Sequence, residues 1–276
     1  MKTLNNLMKF CLTGFALVFL FAGTISYALD IEEGGDAIFY QLRAAKQVVI
    51  AKLERKDKDF FDFSRVANLY REVQTQFRVS VTDSFASDAE ISVGRTYLLY
   101  LHELRDKPGT YSLVASIYSI QPVNVTEFRD YRDVIGDYVK FGNDPVALKQ
   151  ALFRNFDHKV PYIQYSAAMD LSVRRLLVKE DADHLAALLS AGKIVNPRAR
   201  VALIEHLGRF ETVRHASVLE HIAKNSREPV SVRSASLDAL YQMKAVDTLK
   251  NLVKVIDADQ SLKLKRKLRE IGNRSR

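Results

Sequence analysis

One stretch of this chain recurs three times, and that constrains the fold more than any other feature. Residues 163–171 (IQYSAAMDL), 199–207 (ARVALIEHL) and 232–240 (VRSASLDAL) align without gaps. Gln164, Arg200 and Arg233 correspond, at offsets of 36 and 33 residues, and Leu171, Leu207 and Leu240 correspond at the same two offsets. Small or apolar residues fill the middle of each: Ala167 and Ala168, Leu203 and Ile204, Ser236 and Leu237. Pro161, Pro197 and Pro229 precede the stretches, the third lying one residue further out. Proline suits the first turn of a helix, where its missing N–H would have no partner anyway. A fixed period within about 20–50 residues marks a repeated supersecondary unit.

Each repeat helix is followed by a second amphipathic one, over Ala182 to Leu189, Val213 to Ala223 and Ala245 to Ile256. Leu185 and Leu188, Leu219 and Ile222, and Leu249 and Leu252 recur three apart and are expected to face inward. Asp181 and Asp183, Thr212 and Asp247 sit near the starts of these helices, where an oxygen or a negative charge favours the exposed N–H groups. One such hairpin cannot bury its apolar side alone, so hairpins must stack, each leaning on its neighbours. The pattern P-x-(V/A)-R-x-x-(A/S)-(A/L)-x-x-L, followed by a second helix, resembles the HEAT repeat in its short bacterial form. The resemblance covers residues 160–256, with a half-repeat after 260, and departs from the pattern at Gln164. It implies an α-solenoid in which the repeat arginines pair with carboxylates between hairpins. Exposed, Arg200 and Arg233 would instead be partner-binding candidates.

Upstream the texture is different. Gln47 to Leu53 is rich in β-branched residues, and Phe77 to Phe85 alternates Phe77, Val79 and Val81 against Arg78, Ser80 and Thr82. Tyr97 to Leu101 (YLLYL) suits a buried strand, and Thr110 to Val123 suits one long strand or a bent pair after the Pro108-Gly109 turn. Val79 to Val81, Gly94 to Leu101 and Tyr111 to Leu113 resemble the strands of secreted netrin-like modules of the OB-fold kind. The cysteines of that family are absent, so its protease-inhibiting tip is not implied here. After Pro122 helices take over: Thr126 to Phe141 puts Phe128, Tyr131, Ile135, Tyr138 and Val139 on one face. Asp144-Pro145 opens another helix carrying Leu148, Leu152 and Phe156. The expected fold class is therefore α+β: a small antiparallel β-barrel or sandwich over 37–125, then an all-α HEAT-like solenoid over 126–276.

Residues 1–28 read as a signal peptide. Lys2 and Lys9 precede the apolar run Phe10 to Ala22, and Ser26-Tyr27-Ala28 sets a cut after Ala28. The run is short for a membrane span of about 20 residues, though an uncleaved anchor is the rival reading. The expected location is periplasmic or secreted. Processing would remove Cys11, the only cysteine, and two lysines, lowering the net charge from +8 to +6. A disulfide framework is excluded. The remaining positive charge concentrates in Lys263, Lys265, Arg266, Lys267, Arg269, Arg274 and Arg276, against Glu270 alone, with Leu264, Leu268 and Ile271 forming an apolar stripe. That helix reads as a polar cap on the stack whose outer face can meet an anionic envelope surface or an acidic partner.

No catalytic, cofactor or metal motif survives inspection. His102-Glu103 begins a zinc-protease pattern that Asp106 breaks, and Leu262 and Leu268 break a calcium-loop pattern begun at Asp257. Ser190 to Lys193 spells S-x-x-K, but at the close of a helix, with Gly192 as its stop. The six histidines are scattered, and Asn124-Val125-Thr126 is a glycosylation sequon. The expected function is non-enzymatic: an exported scaffold with a protein partner, contacted through Arg200, Arg233 and the basic helix at Lys263, Lys265, Arg266, Lys267 and Arg269. Nucleic acid is not an expected partner for an exported chain. An enzyme or an enzyme's accessory domain is the alternative, and would need a deep polar pocket at the β/α junction, near residues 126–165. The third reading is an envelope- or membrane-binding module acting through the basic helix.

Overall fold

The computed structural model describes residues 37–81, 91–115, 119–257 and 261–274; the leader lies outside them, and so does most of the aspartate-containing turn at 257–259. Six strands form: β1 (Gln47–Lys56), β2 (Phe60–Tyr70), β3 (Gln76–Ser80), β4 (Thr96–Glu103), β5 (Thr110–Leu113) and β6 (Ile120–Pro122). Five close into a barrel in the order β1-β2-β3-β5-β4, with β4 returning to β1. All neighbours in this ring run antiparallel except β3 and β5, which are parallel. The all-antiparallel expectation fails for a simple reason: directions cannot alternate all the way round a ring of five. β5 pairs with Leu101–Glu103 and β6 with Tyr97–Leu99 of the same β4 edge, so Thr110 to Pro122 is the bent pair. The strand expected over 77–85 stops at Ser80, and residues 82–90 lie outside the described ones.

The barrel is filled by Val49, Leu53, Phe61, Phe63, Phe77, Val79, Tyr97, Leu99 and Tyr111. The opposite faces of β1 and β4 carry Val48, Ile50, Leu98 and Tyr100, all buried beneath helices. Burial on both faces explains why VVIA and YLLYL show no polar alternation. The covering elements are α1 (Ile38–Ala44), α2 (Phe128–Phe141) and the first repeat helix. On α2 the buried residues are Tyr131, Val134, Ile135 and Tyr138, whereas Val139 is 51% exposed. At about 100° per residue Val139 falls at the margin of the apolar stripe and Val134 nearer its middle, which corrects the face read from sequence. Then comes α3 (Pro145–Arg154), whose cap Asp144 accepts from the N–H groups of Val146 and Ala147 at 3.0 Å each.

The repeat helices are α4 (Pro161–Val173), α6 (Pro197–Arg209) and α8 (Val230–Gln242), each of 13 residues and spaced at the offsets of the sequence repeat. They alternate with α5 (Ala182–Ser190), α7 (Ala216–Lys224) and α9 (Val246–Asp257), and α10 (Leu262–Arg274) follows. One row of contacts runs α4 to α6 to α8 to α10, and a second runs α5 to α7 to α9. Each repeat helix ends the same way, with a left-handed residue two positions beyond it: Arg175, Glu211 and Lys244, at φ of 54°, 53° and 56°. In the first and third, the next N–H closes the turn: Leu176 to the Leu171 carbonyl and Ala245 to the Leu240 carbonyl, both at 3.0 Å. Gly208 lets α6 and α8 approach closely: a Cβ there would lie 2.8 Å from the Cα of Ala239. The described residues form one compact unit, and a single core joins the outer barrel face to the helical region.

Candidate functional site

Of the equivalent positions, Gln164 and Arg200 fasten their helix to the loop that precedes the next repeat helix, and Arg233 fastens α8 back to α7. The Gln164 amide is fully buried, donating to the carbonyls of His158 (2.8 Å) and Lys193 (3.0 Å) and accepting from the N–H groups of Val195 (2.8 Å) and Asn196 (3.3 Å). Arg200 Nη2 meets Glu228 Oε1 at 2.9 Å, both side chains being about seven-eighths buried, at 12% and 14% exposure. Arg233 is 4% exposed, and its Nε donates to the Ala223 carbonyl at 2.9 Å. These guanidiniums therefore sit in the joints between helices rather than on an open ladder. Ser190 Oγ donates to the Ala186 carbonyl at 2.8 Å and Gly192 has φ +65°, so the S-x-x-K stretch is a helix end.

The basic helix α10 divides cleanly. Leu264, Leu268 and Ile271 are buried, Lys263, Arg266 and Arg269 are exposed, and Lys265 is half-buried. Lys267 is pinned to Asp238 of α8 at 2.7 Å, and Arg266 lies 3.9 Å from Glu270. Beside this helix the surface opens into a groove of about 660 Å³ between α8, α9 and α10. Its floor is apolar: Tyr241, Leu249, Leu268 and Ile271, with Val246 and Val253 on the α9 wall, 50% and 41% exposed. Lys244 and Lys250 stand on its rim. On α10, Lys265 lies three residues before Leu268 and Arg269 three before Gly272, and neither is among the residues that line the groove. Asp247 lies 3.6 Å from Lys250.

Sequence reasoning found the basic helix but missed the α9 wall. The signal was present: Val246, Leu249 and Val253 form a second apolar stripe beside the buried Leu252 and Ile256, wider than one packed face needs.

The β/α junction holds two separate features. A surface hollow of about 500 Å³ is lined by Arg95, Gln121, Glu127, Tyr131 and Tyr162, among others. Separately, buried in the core, the Tyr138 hydroxyl donates to Asp170. Arg174, four residues on, donates to the Gly142 carbonyl at 2.8 Å and stacks over Phe39 at 4.2 Å. Burial raises the Asp170 carboxyl to about 8, while burial and the neighbouring Arg209 lower His206 to about 4. Neither Asp170 nor Tyr138 nor Arg174 lines the hollow, so its polar groups and the perturbed acid do not converge on one accessible point. Among the described residues there is no cluster of three or more His, Cys, Asp or Glu able to hold a metal ion, and no helix long and apolar enough to cross a membrane.

Compared with protein-family models, with curated proteins and with solved structures, the chain matches none.

Proposed function

We propose that this chain is an exported interaction protein in which HEAT-like helix pairs, stacked as a solenoid on a barrel of the OB-fold kind, present a docking surface to a protein partner. The observation that carries the reading is the groove between α8, α9 and α10, where half-exposed valines and a buried leucine floor are rimmed by lysines. Soluble chains rarely leave a contiguous apolar hollow bare unless something covers it. The repeat offsets, the two rows of helix contacts and the joints that Gln164 and Arg200 make to the loop before the next repeat helix support the solenoid. The non-sequential five-stranded ring supports the OB-type barrel. Export rests on Lys2, Lys9 and the apolar run Phe10 to Ala22.

An anionic membrane surface suits the exposed Lys263, Arg266 and Arg269, but Leu264, Leu268 and Ile271 of α10 are spent on packing, which leaves Leu262 as its one exposed large apolar side chain among the described residues. The deciding experiment places a photo-crosslinking residue at Val246 in the protein expressed in its own cells, with crosslinks identified by mass spectrometry. A discrete protein adduct is the expected result. Crosslinks to lipid alone, or none above those of a probe at the exposed barrel residue Val66, would remove the reading.

A further inference from the structure

Resting on that interaction reading, we propose that the α8–α9–α10 groove takes an acidic amphipathic helix of the partner, three apolar side chains down and carboxylates on its flanks. The walls decide the backbone of the guest. Both long sides are helices, whose N–H and C=O groups are already paired along their length, so an extended peptide would find no strand edge to add to. A helix brings its own backbone bonds satisfied and offers only side chains. The dimensions agree: Val246, Leu249 and Val253 span seven residues of α9, about 10 Å, or two turns of a guest with anchors at i, i+4 and i+7.

Charge decides its flanks. Lys244 and Lys250 stand on the rim, no carboxylate is among the described residues that line the groove, and Asp247 lies beside Lys250 at 3.6 Å. The further acids of α8 and α10, Asp238 and Glu270, face Lys267 and Arg266. A second copy of the chain would bring the same cations against themselves, which costs rather than gains. A guest with Glu or Asp beside its apolar stripe neutralises the rim and is steered to it, and a lysine-flanked guest with the same stripe is repelled.

The probe is a fluorescein-labelled 18-residue helix with leucines at i, i+4, i+7 and i+11 and glutamates on both flanks. A twin with lysines for glutamates and vesicles of phosphatidylglycerol serve as competitors. Fluorescence anisotropy with the full chain should give a micromolar Kd for the glutamate helix, at least about tenfold tighter than for its twin, weakening steeply with salt. Val253→Glu, at a half-exposed position that leaves the core untouched, should cut binding about tenfold, and Lys250→Glu should erase most of the discrimination between the twins. Circular dichroism checks that both variants stay folded. Equal binding of the two helices, binding indifferent to both substitutions, or capture by the vesicles with no peptide binding overturns the inference. If the Val246 probe gives a discrete protein adduct while the glutamate helix fails to bind, this inference falls and the interaction reading stands.

Discussion

Replacing Asp170 with asparagine should abolish the loss of stability that this protein suffers as pH rises from neutrality towards 8. Asp170 is 1% exposed, with Tyr138 of α2 donating to it, the Phe39 N–H of α1 beside it, Tyr100 of β4 facing it and Arg174 one turn along its own helix. Burial outweighs the hydroxyl and the guanidinium and holds the carboxyl up at about 8. In the unfolded chain an aspartate titrates at about 3.9. Between those values the folded state keeps a proton that the unfolded state has lost. Stability therefore falls as pH rises, by about 1.4 kcal/mol per unit at the steepest. His206, 8% exposed and lowered to about 4 by burial and Arg209, works the other way. Its unfolded value is about 6.5, so from there down to 4 the unfolded state holds the extra proton and stability rises with pH. The two slopes oppose each other up to about pH 6.5, after which Asp170 acts alone and removes about 2 kcal/mol by pH 8. In Asp170→Asn only the His206 slope is left, so stability climbs to about pH 6.5 and then levels. Urea unfolding followed by circular dichroism, at steps across pH 5 to 8.5, reads the difference between the two proteins, in which every shared titration cancels. A difference that widens by about 1 kcal/mol per unit supports the account, and one flat to within about 0.3 kcal/mol refutes it.

Two further substitutions test the repeat joints. Gln164→Leu keeps the volume but strips partners from the Val195 and Asn196 N–H groups and from the His158 and Lys193 carbonyls, and should cost about 3–5 kcal/mol in a denaturant melt; a loss under about 1 kcal/mol would show that the amide is incidental. Gly208→Ala should cost about 2–3 kcal/mol because its Cβ would strike Ala239 across α6 and α8, whereas Gly136→Ala on α2, with open space around it, should stabilise by about 0.5–1 kcal/mol; equal effects at the two glycines would contradict the close approach.

What the sequence discloses depends on which physical signal dominates locally. The repeat helices start where the three aligned stretches place them because Pro161, Pro197 and Pro229, and the capping oxygen of Asn196, act on neighbouring backbone. Asn196 Oδ1 accepts from Arg198 at 2.9 Å and Ala199 at 3.1 Å, a bond whose partners lie two and three residues away. The longest strand, β2, is missed for the opposite reason. Phe61 and Phe63 fill the barrel, but Arg65 to Tyr70 pairs with Val48 to Ala51 and its side chains are set by α2, an element 60 residues downstream. The short α1 is likewise unreadable: seven residues form a helix because Ile38 is buried and its N–H finds Ser166 Oγ at 3.2 Å, 128 residues away. The groove falls between these cases. Its cations are plain in the sequence, whereas its apolar wall shows only once α9 is known to bury Leu252 and Ile256 and to leave Val246 and Val253 outside.

The two textures of the chain are not two independent bodies, and the junction shows why. β1 and β4 are apolar on both faces because the barrel interior claims Val49, Leu99 and Leu101 while the helices claim Val48, Ile50, Leu98 and Tyr100. Stripped of its helices, the barrel would expose those four side chains, each worth about 1.5–3 kcal/mol of burial, on its two most central strands. The first repeat helix, stripped of the barrel, would leave Asp170 and Ser166 without the α1 backbone groups that partner them. The boundary near residue 125 marks where strand chemistry gives way to helix chemistry, and the core crosses it. The row of contacts from α4 through α6 and α8 to α10 ties the helices of the proposed docking groove, two hairpins on, to the helix that covers the barrel.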